Sequence, residues 1–87
     1  MEEIKRLISE GQTSVAIRLL DEHIATFPDS DEAYFLRGNA YRKEANYREA
    51  LNNYLSAMEL KPDSPARQAH DMLMEILEFY HKDLYNP

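Results

Sequence analysis

Apolar residues recur along the chain at the three- and four-residue spacing of a helix face. One stretch holds Val15, Ile17, Leu19, Leu20, Ile24 and Phe27, and another Leu51, Tyr54, Leu55, Met58 and Leu60. Four polar breaks interrupt the pattern: Glu10-Gly11-Gln12, Pro28-Asp29-Ser30-Asp31, Glu44-Ala45-Asn46 and Lys61-Pro62-Asp63-Ser64. Each carries Gly, Pro, Asn or Asp, residues that end or begin helices. The pattern predicts an all-α protein of five helices near residues 2–10, 13–26, 31–44, 47–60 and 65–82. Asn46 with Glu49, and Asp29 with Glu32, have the spacing of reciprocal caps, in which a short polar side chain takes a free backbone N–H of the first turn. At Ser64-Pro65 the serine can accept from the first turn, and proline loses nothing at the first helical position.

Several residues recur at an offset of 34: Pro28 and Pro62, Ala16 and Ala50, Leu20 and Tyr54, Leu7 and Tyr41, and Asp29-Ser30 with Asp63-Ser64. Between them runs Glu32-Ala33-Tyr34-Phe35-Leu36-Arg37-Gly38-Asn39-Ala40-Tyr41, followed by Tyr47, Glu49-Ala50-Leu51, Tyr54, Ala57 and Pro62. On these residues the chain resembles the tetratricopeptide repeat (TPR) family. The resemblance implies antiparallel helical hairpins stacked as a short α-solenoid within a single domain, 1–87. Residues 1–30 resemble a clipped repeat, 31–64 a complete one, and 65–87 a capping helix and tail. It also implies that Gly38 and Ala50 face each other where the two helices of the hairpin cross. Three positions depart from the family pattern: His23 stands in the place of Ala57, Met72 where a glycine would fall, and Arg37 where leucine is common.

Composition narrows the function. Eighty-seven residues make one domain, and 44% hydrophobic with 30% charged residues suits a packed helical protein. A net charge of -6 repels phosphate backbones, so nucleic acid is not an expected partner. The opening Met1-Glu2-Glu3 is acidic where a signal peptide is basic, and no apolar run of about 18 residues could span a bilayer, so a cytoplasmic protein that does not engage membranes is expected. The absence of cysteine removes disulfides, thiolate metal sites and cysteine nucleophiles together.

Catalytic constellations are missing from the pattern. His23, His70 and His81 are not spaced to present two metal ligands on one helical turn; His70 beside Asp71 or Glu75 comes nearest, and surface or structural histidines are the simpler account. No serine sits in a glycine-flanked elbow, and two glycines cannot build a phosphate loop. The carboxylates are spread along solvated helix faces, while Tyr34, Tyr41, Tyr47 and Tyr54 occupy core positions of the repeat. No enzyme activity, metal or cofactor is expected.

A binding module remains. By resemblance and by i, i+4, i+7 spacing, the concave stripe of the leading helices holds Phe35, Asn39, Arg42 and Lys43, with Lys5 and Ser9 from the first helix and Leu73 and Leu77 from the last. Its basic groups suggest a protein or peptide ligand with an apolar side chain and an acidic group or free carboxylate, although Arg42 and Lys43 also suit the negative pole of a helix end. In the chaperone-binding branch of the family a lysine and asparagine clamp holds a partner's carboxylates. Those positions fall here on Met1, Lys5, Leu36, Ala69 and Leu73, only one of them polar, so chaperone-tail recognition is not expected. The alternative is a structural or regulatory module that self-associates, for instance as a homodimer, through the C-terminal helix. That helix is apolar almost all round: residues 69, 72, 73, 76 and 80 are expected to pack on the repeat, leaving Met74, Leu77, Phe79 and Leu84 turned elsewhere.

Overall fold

The structure, a computed structural model, describes residues 1–85 and the side chains of residues 1–80. Five helices form among them: α1 Glu2–Ser9, α2 Thr13–Thr26, α3 Asp31–Lys43, α4 Tyr47–Leu60 and α5 Ala66–Tyr85. Their starts follow from local chemistry. Ser30 Oγ accepts the Ala33 amide at 3.2 Å to open α3, Asn46 Oδ1 accepts the Glu49 amide at 3.4 Å to open α4, and Ser64 Oγ accepts the Ala66 amide at 3.1 Å to open α5. Each takes an N–H that has no partner inside its own helix. The cap of α3 is therefore Ser30 rather than Asp29: Ser30 holds the extended conformation of a cap, and its oxygen is the one within reach.

The turns inside the two hairpins share one closure. The amide of Gln12 donates to the Leu7 carbonyl at 2.8 Å, and that of Asn46 to the Tyr41 carbonyl at 2.9 Å. Both closures pass through a residue of positive φ, Gly11 at 84° and Ala45 at 62°.

At the centre α3 packs against α2 on one side and α4 on the other; α1 lies against α2 and α3, and α5 against α4. Leu7, Ala16, Leu20, Ala33, Leu36 and Ala40 form a buried cluster among α1, α2 and α3. Ala50, Tyr54, Ala57, Ala66 and Leu73 form a second between α4 and α5. Gly38 permits the closest approach. A Cβ there would lie 2.6 Å from Tyr54 Cε1 and 3.2 Å from the Ala50 carbonyl oxygen, so α3 and α4 meet at a distance open only to glycine. Arg37 replaces an apolar contact with a polar tie across three helices. Its Nε donates to Asn53 Oδ1 and its Nη1 to Asp21 Oδ1, both at 2.7 Å, and the guanidinium lies 5.3 Å from the centre of the Tyr34 ring. Asn53 is buried, and its amide donates in turn to the Glu49 carbonyl at 2.8 Å.

The packing of α5 departs from the repeat. Moved on by 34 positions, the buried Ala33, Leu36 and Ala40 of α3 would become Arg67, His70 and Met74. Instead α5 packs through Ala66, Ala69, Leu73 and Leu77, its first three one residue earlier, a rotation of about 100°. The repeat register would bury Arg67 and half-bury Asp71 and Glu75 at the places of Arg37 and Tyr41, and uncompensated burial of charge costs more than a rotation. Met72, Ile76 and Tyr80, expected from the sequence to pack, are consequently exposed, while Leu77, expected to turn away, packs. Met74 and Phe79 are exposed as expected, and the Leu84 side chain lies outside the described residues.

Among the described residues no helix is long and apolar enough to cross a membrane. The molecule measures 48 × 28 × 17 Å. Its thinnest dimension is less than two helix diameters of about 10 Å, which leaves surfaces and grooves rather than enclosed pockets.

Candidate functional site

The leading helices α1 and α3 run side by side, joined near one end by Lys5 Nζ approaching Glu32 at 3.7 Å and near the other by Lys43 Nζ donating to the Ser9 carbonyl at 3.1 Å. Between them lies an open groove of about 450 Å³, lined by Lys5, Ile8, Ser9, Phe35, Leu36, Asn39, Arg42 and Lys43. Four-residue spacing puts Lys5 and Ser9 on one face of α1, and 35, 39, 42 and 43 form the matching stripe of α3. Six of the eight residues anticipated from the sequence thus converge here. A second hollow of about 350 Å³ shares Lys5, Phe35 and Leu36 and adds Asp31, Glu32, Lys61, Ser64 and Pro65. The two make one channel, with Arg42 and Lys43 at one end and the carboxylates Asp31 and Glu32 at the other.

The three bases of the groove are not equivalent. Lys43 satisfies a free carbonyl at the end of α1, and Lys5 is shared between Glu2, at 3.2 Å, and Glu32. Arg42 makes no ion pair among the described residues and is exposed. Beside it, Asn39 Oδ1 accepts the Tyr54 hydroxyl at 2.6 Å, which orients the amide and leaves its N–H groups to donate elsewhere. Burial pushes the Tyr54 phenol above its ordinary pKa while the Arg42 charge pulls it down; the phenol remains a donor, and Asn39 stays fixed at neutral pH. The floor, Ile8, Phe35 and Leu36, is apolar. Chemically the groove offers a place for an apolar side chain next to one uncommitted guanidinium and an oriented amide.

Leu73 and Leu77 do not line this groove. Leu73 is 3% exposed within the α4–α5 cluster, and Leu77 packs against the same cluster, because α5 has turned both inward. Sequence reasoning passed over Ile8 and Leu36. Both belong to the buried cluster, and in so thin a protein the outer edge of the core is the groove floor. A larger hollow of about 520 Å³, lined by His23, Thr26, Phe27, Pro28, Asp29 and Ser30, is made by a single chain turn with one charged residue, and no second helix converges on it. His70 Nδ1 lies 3.1 Å from Asp71 Oδ1, and among the described residues no three His, Cys, Asp or Glu side chains gather as metal ligands would.

The tetratricopeptide repeat family profile matches residues 31–64, the α3–α4 hairpin with the turn that follows it. The chain is also similar to Bacteroides fragilis protein BF1650, solved in solution by NMR. The two share 55% sequence identity and a TM-score of 0.88, over 98% of this chain and 87% of that one. Among curated proteins none matches significantly.

Proposed function

Since the chain belongs to the tetratricopeptide repeat family, a family of protein-interaction modules, we propose that it is an adaptor or scaffold holding a peptide or protein segment in the groove between α1 and α3, without catalysis. Support comes above all from Arg42: an exposed guanidinium with no ion-pair partner among the described residues, beside the oriented amide of Asn39 and on the same stripe as the apolar floor at Phe35. The ligand takes its orientation from the channel. Its apolar side chain lies over Phe35 and Leu36, its acidic group or free carboxylate reaches Arg42 and Asn39, and any basic residue lies toward Asp31 and Glu32. Lys5, Ser9 and Lys43 form the walls. Residues 1–87 act as one domain, with 31–64 the complete repeat between a clipped repeat and a cap, in the cytoplasm.

The test is an amide chemical-shift titration of the full chain with short peptides that carry one large apolar residue and either an acidic or a basic C-terminal pair. Acidic peptides should shift Phe35, Asn39 and Arg42, and Arg42→Glu should weaken them at least tenfold with an unchanged circular dichroism melt. Shifts confined to the exposed side of α5 would remove the groove from the account.

A further inference from the structure

The rotation of α5 exposes a second apolar stripe. Met72 is 53% exposed, Ile76 51%, Phe79 63% and Tyr80 60%. Their positions, 72, 76 and 79 with 80 alongside, follow the four-then-three spacing of a coiled-coil seam. A further repeat is poorly suited to cover this stripe. In α3 the face that receives the next helix, Tyr34, Gly38 and Tyr41, lies about 130° around the helix from its core stripe at 33, 36 and 40. Measured the same way from the core stripe of α5, that face holds Arg67, Asp71, Met74 and Glu78, mostly charged. The apolar stripe is on the other flank, where the repeat places no second helix of its hairpin.

We propose that this stripe is the seat of a second copy of the chain, two α5 helices packing antiparallel about a two-fold axis near Ile76. A two-fold contact requires one patch to complement itself, and a stripe roughly symmetric about Ile76, with Met72 on one side and Phe79 and Tyr80 on the other, does so: thioether meets aromatic ring twice. The area is sufficient for a weak dimer. The exposed parts of the four side chains amount to roughly 500 Å² per protomer, and two copies bury about 1,000 Å², the lower bound for a specific interface. Charge sets the conditions. Each protomer carries -6, and Glu75, next to the axis, faces its own counterpart, so salt strengthens the dimer by screening this repulsion. The proposal is independent of the groove, which lies between α1 and α3.

Sedimentation velocity of the full chain from micromolar to millimolar concentration tests it. The wild type should shift from monomer to dimer over this range, with tighter association at 0.5 M than at about 0.05 M salt, a range that spans most of the change in Debye length. Ile76→Glu, at an exposed position, should weaken the dimer at least tenfold while the circular dichroism melt is retained. Because the chain contains no cysteine, Ile76→Cys supplies a single thiol that should oxidise to a covalent dimer, whereas Leu55→Cys, exposed on α4, should not. A wild type monomeric at every concentration, leaving the stripe for a different protein, overturns the proposal; so does a dimer indifferent to Ile76→Glu, or equal cross-linking at both positions.

Discussion

The α3–α4 hairpin and α5 begin with the same two residues and then part. Asp29-Ser30 precedes α3 and Asp63-Ser64 precedes α5, and in both the serine takes a first-turn amide, at 3.2 and 3.1 Å. Beyond the cap, α3 buries 33, 36 and 40 and brings Gly38 against Tyr54, whereas α5 buries 66 and 73, half-buries 69 and presents Arg67, Asp71 and Glu75 to solvent. A helix start is decided by two or three neighbouring residues, and so it survives divergence. The rotation of a helix is decided by the combined burial cost of every side chain on it, and three charges suffice to turn it.

The largest expected effects test that rotation directly. Leu73→Ala removes a buried side chain from between α4 and α5, and should cost about 3 kcal/mol in urea unfolding. Met72→Ala, one residue away, should cost less than about 0.5 kcal/mol, because Met72 faces solvent. The reverse order would mean that α5 packs through its other apolar stripe, 72, 76 and 80. On the α3 side, Gly38→Ala sets a methyl 2.6 Å from a ring that is fully buried and held by its hydroxyl to Asn39, so the ring cannot swing away. Overpacking of about 3 kcal/mol, less about 1 kcal/mol of helix propensity gained, leaves a net loss of about 2 kcal/mol. Thermal unfolding should fall by roughly 8–16 °C, at about 4–8 °C per kcal/mol in a domain of this size.

Much of the fold could be read from the chain because its signals are local. Asn46 and Ser64 mark starts, Gly11 marks an end, and the offset of 34 pairs two copies without knowledge of their packing. The groove was legible for the same reason: Phe35, Asn39, Arg42 and Lys43 share one face of one helix, and Lys5 and Ser9 share another. Leu73 and Leu77 were misplaced because two apolar stripes of α5 fit helical spacing equally well, 69, 73 and 77 against 72, 76 and 80. The distinguishing clue was Ala66 and Ala69. Small residues mark the side of closest approach, and both sit where α5 meets the fully buried Tyr54 and Ala57 of α4. Arg37 was anticipated only as a departure, since its partners Asp21 and Asn53 are each 16 residues away on other helices.

A smaller effect is expected at that tie. Arg37→Ala strands the buried Asn53 oxygen and removes the bond to Asp21, though the exposed Asp21 recovers water at little cost. The loss should be about 1–1.5 kcal/mol, most of it from the unsatisfied acceptor rather than from the ion pair. Arg37→Met in an Asn53→Leu background, which removes both polar partners together, should recover the greater part in the same unfolding measurement.

The smallest effect compares the two hairpins at their turns. Gly11 and Ala45 occupy corresponding places, 34 residues apart (45 − 11), and both hold positive φ so that the next amide can close onto the helix just ended. In this region the Cβ of an L-residue crowds its own carbonyl oxygen, at a cost of about 1–2 kcal/mol, while glycine pays only in unfolded-state entropy, about 0.5–1 kcal/mol. Ala45 is exposed, so removing its methyl forfeits little packing. Ala45→Gly should therefore stabilise the protein by about 0.5 kcal/mol, a rise of roughly 2–4 °C in the melting midpoint. Gly11→Ala, with nothing within 4 Å of the added methyl, should destabilise by a similar amount through backbone strain alone. The double exchange measures how far the two turns are coupled, since Thr13 Oγ1 donates to Glu44 Oε2 at 2.7 Å and ties one turn to the other. A stabilising Gly11→Ala, or a destabilising Ala45→Gly, would show that the two turns are closed by different means and that their correspondence ends at the sequence.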